Sequence, residues 1–275
     1  MNKRILRTIA MKDLREVGQN RAAWLPAVLV PLIFVVILPL MIILAPNLLN
    51  FSPMPLLSQQ GPVGMMKENI PMLAAKLAGL NDQQTWVVLM TGYFLAPFFL
   101  IMPLMLSTIV GAESFVGERE RKTIEALLYT PTTDGELFVG KVLASVVPAI
   151  ALAWLSFLVY AVVVNVAGWP VMGRIWFPTV NWWPLMLWVT PAIATLGMAV
   201  TVLISARVST FMEAYQMSAS LVVLVLALVI GQITGVLYLS VGMALAVGLA
   251  LWVVDAVLIW FSIRTFARGS LPSRL

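Results

Sequence analysis

AAWLPAVLVPLIFVVILPLMIILA, residues 22–45, runs for twenty-four positions without a charge. An α-helix rises 1.5 Å per residue, so about 20 apolar residues cross the roughly 30 Å of hydrocarbon in a bilayer. This stretch therefore reads as a membrane span. Windows of the same kind lie at 86–112, 142–167, 184–206, 215–238 and 241–263, the last interrupted by one acid, Asp255. Composition agrees: 61% of the 275 residues are hydrophobic, 11% are charged, and mean hydropathy is +0.98. Soluble domains carry about a quarter charged residues, and this chain has too few to coat a hydrated globule. The reading is an all-α integral membrane protein with six transmembrane helices.

Six spans place both termini on one side, and the basic residues choose the side. Lys3, Arg4, Arg7, Lys12, Arg15, Arg21, Arg119, Arg121, Lys122, Lys141, Arg207, Arg264, Arg268 and Arg274 fall on the face of the termini, against Lys67, Lys76 and Arg174 on the other. Both termini are thus expected in the cytoplasm. In residues 1–21, Leu6, Ile9, Ala10, Leu14 and Val17 form one helical stripe with Arg4, Arg7 and Arg15 facing away, an amphipathic helix for the inner interface. A cleaved signal peptide is disfavoured, because the apolar run is too long and no small-residue cleavage site follows it. Residues 22–275 make up the membrane domain. Trp169, Trp176, Trp182 and Trp183 crowd the second outer connection and are expected to anchor at the headgroup level. Pro26, Pro31, Pro39, Pro97, Pro103, Pro148 and Pro191 interrupt the spans, and each frees a carbonyl that a neighbouring helix or water must satisfy.

Chemistry is easier to exclude than to find. With no His and no Cys, imidazole bases, thiol nucleophiles and Cys/His zinc sites are gone. The run GELFVGK (135–141) has most of the spacing of a phosphate loop, but Val142 stands where the magnesium-binding Ser or Thr belongs and no strand precedes it. Asp255 lies about 12 Å inside its span at 1.5 Å per residue. An acid there is either a structural site, paired with water or a basic side chain such as Arg207, or part of a translocation path. GQITG (231–235) brings Gly231 and Gly235 to one helix face, for packing within the chain, for a dimer contact, or to break the span into a re-entrant piece.

The most specific segment joins the second and third spans: SFVGERERKTIEALLYTP, residues 114–131. Glu118 precedes Arg121 and Lys122 by three and four residues, the favourable order for helical ion pairs, and Ile124, Leu127 and Leu128 share one face. Pro131 ends that helix, and Thr133 with Glu136 has the spacing of a capping box that starts the next. Mixed charge beside an apolar edge is the make-up of a docking surface for another protein.

ESFVGERERKTIEALLYTP (113–131), followed by Gly140-Lys141 at the start of a span, resembles the signature of the ABC-2 family of ATP-binding-cassette transporter permeases, and within it the sodium- and drug-efflux type. Six spans with cytoplasmic ends resemble the same family. The resemblance implies a permease subunit of an exporter in a bacterial or archaeal cytoplasmic membrane, with no ATPase of its own. The loop 113–141 would hold the coupling helix, with Glu118, Arg119, Glu120, Arg121, Thr123, Glu125, Leu127, Leu128 and Pro131 making or supporting the contact with a separate ATP-binding subunit. That subunit would carry the ATP and magnesium, leaving no cofactor on this chain, and a second permease chain, identical or not, would complete the unit. Arg207 and Glu213 read as a structural pair or a second contact to the ATPase. Membrane lipid is an expected partner and nucleic acid is not. A stand-alone ion-coupled transporter, a membrane enzyme and a structural membrane subunit are the competing classes.

Overall fold

A computed structural model describes residues 11–12, 21–48, 54–57, 70–121, 134–234 and 237–265. Among these there is no strand, and six helices are long and apolar enough to cross a membrane. They are α1 (Leu25–Pro46), α2 (Asp82–Glu120), α3 (Asp134–Met172), α4 (Trp182–Ser205), α5 (Phe211–Ile233) and α6 (Val241–Ser262). The second, third and fifth windows read from the sequence differ from the observed helices by four residues or more at an end, and the others by three or fewer. The largest difference is α2, which passes the expected end at 112 and stops at Glu120. The amphipathic segment 1–21 lies outside the described residues except for Met11, Lys12 and Arg21, which are helical.

α2 and α4 are the inner helices. They pack on each other, on α3 and, through α4, on α6, while α1, α5 and α6 leave most of their apolar surface outward. Small residues make the centre dense. A Cβ on Gly197 of α4 would lie 3.1 Å from the Leu104 carbonyl oxygen of α2, and Gly111 faces Met198 and Thr201 just as closely. Without a hydrophobic drive between helices in lipid, such close approach is what holds a bundle together. Ser145 of α3 joins the same point by donating to the Ser107 carbonyl at 2.7 Å.

At Pro97 and Pro191, two of the prolines expected to interrupt the spans, and at Pro46, the structure names groups that answer the freed carbonyls. Pro46 cannot donate to Ile42, and the Trp86 indole N–H does so instead at 3.0 Å. α2 runs in π register over Val88–Phe94, then tightens to a 3-10 turn at Pro97–Leu100. Pro97 lacks the N–H that would reach Tyr93 in α register or Gly92 in π register. Three side chains from three other spans converge there: Tyr160 on Thr91 O (2.6 Å), Trp182 on Gly92 O (2.8 Å) and Gln232 on Tyr93 O (2.8 Å). The same arrangement recurs in α4, whose π segment Leu185–Val189 precedes Pro191. Met186 O, five residues before that proline, accepts from the Trp154 indole of α3 at 2.9 Å.

This corrects the reading of the tryptophans. Trp169 and Trp183 are half exposed, as anchors should be, but Trp182 is fully buried at the centre of an aromatic cluster with Phe99, Phe157, Tyr160 and Phe177. Its N–H is spent on the broken backbone of α2. Trp182→Phe keeps the ring packing and strands the Gly92 carbonyl, so it should lower stability by about 1–3 kcal/mol. Thermal unfolding in mild detergent measures this, and an unchanged midpoint would show that the indole N–H is dispensable.

A candidate coupling site at the charged end of the bundle

Four consecutive charged residues stand at the end of α2, three of them reaching other elements and the fourth turning back on the helix. Glu118 is 2% exposed and lies between two lysines: Lys141 of α3, 2.6 Å from Oε2, and Lys12 of the amino-terminal segment, paired with Oε1. Arg119 donates to the Ser205 carbonyl at the C-terminus of α4. Glu120 accepts the Phe211 N–H at the first turn of α5, at 2.8 Å. Arg121 turns back to Glu113, which is 1% exposed and lies eight residues, about two turns, before it. Sign and place agree at both helix ends, since a cation sits on terminal carbonyls and an anion on terminal amides.

Why α2 continues to Glu120 follows from these contacts. Glu113 and Glu118 inside a span would each be costly alone, and both are buried only because a basic partner meets them. Lys141 is 2% exposed and saturates its ammonium with Glu118, the Ser114 carbonyl (2.5 Å) and the Ser114 hydroxyl (3.0 Å), while lying 5.3 Å from the centre of the Phe115 ring. The helix beneath is again in π register, over Glu113–Gly117, which turns Glu113 and Ser114 toward these partners. Gly117 leaves room for the Glu113–Arg121 pair to cross, since a Cβ there would stand 3.1 Å from Glu113 Oε2 and 3.2 Å from an Arg121 nitrogen.

Of the residues singled out in the sequence, the structure gathers Glu118, Arg119, Glu120 and Arg121 at this point. Glu118 pairs with Lys12 and Lys141, and Arg121, expected to pair with Glu118 along one helix, pairs with Glu113 instead, while Lys122 lies outside the described residues. Thr123, Glu125, Leu127, Leu128 and Pro131 lie outside the described residues, as does Thr133 of the expected capping box. Glu113, Ser114 and Lys141 belong to the site although only the surrounding motif pointed to them. Their signal was Lys141, a lone cation at the edge of the third apolar run, which the structure places about two turns inside α3. Residues Gly135–Lys141 are helical and form no phosphate loop.

The remaining candidates fall elsewhere. Glu213 caps α5, accepting from the Ser209 N–H at 3.1 Å while Thr210 accepts the Glu213 N–H at 3.3 Å, rather than pairing with Arg207. Asp255 is fully buried on the face of α6 that carries Ala244, Leu251 and Ser262, and neither carboxylate oxygen has a hydrogen-bond partner. Arg207 is exposed and does not reach it. The close approach at Gly231 is filled by Leu237 of the same chain, whose N–H returns to the Gly231 carbonyl at 2.8 Å as α5 ends at Ile233. Gly235 lies outside the described residues. Among the described residues no group of three acids could hold a metal ion.

No curated protein and no solved structure matches the chain. A family model described as ABC-2 family transporter protein matches residues 7–263.

Proposed function

The chain belongs to the ABC-2 transporter family, whose members are multi-pass membrane permeases that work with ATP-binding subunits, and on that premise we propose that it is the permease of an ATP-driven exporter. Two permease chains, identical or not, enclose the path, and a separate ATPase carrying ATP and magnesium docks from the cytoplasm on the segment 121–131. The excess of basic residues on the face of the termini supports that orientation, in a bacterial or archaeal cytoplasmic membrane. Thr123, Glu125, Leu127, Leu128 and Pro131 form the contact. Glu118, Arg119 and Glu120 are the anchorage behind it.

The observation that carries this reading is the way Glu118–Glu120 ties the end of α2 to α3, α4, α5 and the amino-terminal segment, immediately before the docking stretch. A displacement applied at 121–131 reaches four elements through charged contacts in a single turn of helix. Nucleotide shifts the bundle only so far as the docked ATPase binds its two arrangements unequally. The test is co-expression with the ATP-binding subunit. Glu125→Lys and Leu128→Asp should each cut its co-purification and ATP-dependent transport at least tenfold, with unfolding temperature unchanged. Full co-purification and transport in both variants would overturn the assignment.

Asp255 favours a second reading, a stand-alone ion-coupled transporter, because an unpartnered buried acid in a span is a default candidate for ion passage. Uphill transport by the isolated chain in liposomes, lost in Asp255→Asn, would establish it over the first.

A further inference from the structure

At the end of the bundle away from the charged cluster, one face of α3 is left open to the membrane as a groove of about 820 Å³. Leu158, Val162, Val166 and Trp169 line it at helical spacing, and Ile175 leans over it from the following loop. Its one polar lining side chain is Asn165, and that amide is fully occupied. It donates to the Ala161 and Phe177 carbonyls, both at 2.8 Å, and accepts from the Trp176 and Phe177 N–H groups at 3.0 and 3.2 Å. Asn165 thus pins the loop against α3 and holds the wall of the groove in place before anything enters it. Gly173, at φ +64°, follows the end of the helix, and the exposed Arg174 comes next, one residue before the groove-lining Ile175.

We propose that this groove is a binding site for one phospholipid of the adjacent leaflet, with an acyl chain along α3 and the phosphodiester on Arg174. Length fits: from Leu158 to Pro170 the helix rises about 18 Å, the reach of a full acyl chain down one leaflet of a roughly 30 Å core. Depth fits as well, since Trp169 marks the headgroup level next to the cation. Charge selects a phospholipid over a second copy of the chain. Among the described residues Lys76, the other cation at this end, is engaged by Asn181 at 3.3 Å, whereas Arg174 has no ion pair or hydrogen bond within the chain and presents a planar donor suited to phosphate. On the orientation proposed above, this leaflet is the outer one. The site itself requires neither that orientation nor an ATPase.

The experiment is lipid retention by the full chain in mild detergent, read by native mass spectrometry during titration with phosphatidylglycerol carrying sixteen- and eighteen-carbon chains. Wild type should hold one lipid through delipidation. Arg174→Glu should weaken it at least fivefold without changing the unfolding temperature, because the side chain is exposed in a loop. Ala161→Phe, which fills the groove, should abolish it while Arg174 remains. Equal retention in wild type and both variants overturns the proposal. So does efficient disulfide formation between two chains carrying Val162→Cys in liposomes, which would assign the groove to a second copy.

Discussion

Lys141→Met should cost the folded bundle about 3–5 kcal/mol, the toll of stripping one partner from a buried ion pair. Lys141 and Glu118 are each 2% exposed, and the ammonium also holds the Ser114 carbonyl and hydroxyl. Methionine matches the length of the lysine stem and sits well against Phe115, so packing changes little and the loss isolates the charge. Of its two lysines Glu118 would keep Lys12, whose side chain is 37% exposed and therefore screened. Removing both charges tells the mechanism apart from a packing defect. Glu118→Gln combined with Lys141→Met leaves neither of the two buried charges, and the double variant should recover most of the stability lost by Lys141→Met alone. Lys12→Met should cost under about 1 kcal/mol, as exposed pairs do. Thermal unfolding of wild type and the three variants in one detergent measures all of this. A double variant as unstable as Lys141→Met would mean that the lysine acts by shape.

The span count was legible because a bilayer leaves so few solutions: long apolar helices, with their backbone satisfied internally. What the chain could not show by itself is which charges neutralise one another across the fold. A rule that ends a span at the first acid stops α2 at Ala112, whereas Glu113 and Glu118 are tolerated because Arg121 and Lys141 fold onto them. Lys141 is twenty-three residues from Glu118, and no local periodicity links the two. Trp182 was misread for a related reason. Local composition places an indole at the interface, but its acceptor is the Gly92 carbonyl ninety residues earlier, exposed by a proline. At α5, Thr210 and Glu213 have the Thr-x-x-Glu spacing of a helix start, a signal as legible as the one at Thr133 and Glu136, and there the structure shows the cap in place of an ion pair with Arg207. The coupling motif was legible as a segment. Its division into an anchorage buried over 113–118 and the stretch beyond it depends on burial, which residue type alone does not give.

Gly197→Leu should leave no correctly assembled bundle, and Gly197→Ala should already cost about 1–3 kcal/mol, the usual price of overpacking. The difference between the two lies in what can yield. A Cβ at position 197 would stand 2.4 Å from Ser107 Oγ, 3.0 Å from a Leu104 methyl and 3.1 Å from the Leu104 carbonyl oxygen. The serine hydroxyl can rotate away by giving up its bond to Leu104 O, which is 2.9 Å long, and the leucine methyl can shift. The carbonyl cannot, because it belongs to the backbone of α2. Alanine therefore loses a hydrogen bond and some packing, while three further carbons of leucine must drive α2 and α4 apart. Those two helices are the centre of the fold, and α3 is fastened to the same spot through Ser145. Ser107→Ala should be far milder alone and should relieve part of the Gly197→Ala defect, since it removes the atom in closest conflict. Monodispersity and unfolding temperature of the single and double variants decide the matter. A stable, monodisperse Gly197→Leu protein would show that α2 and α4 do not meet as closely as these distances require.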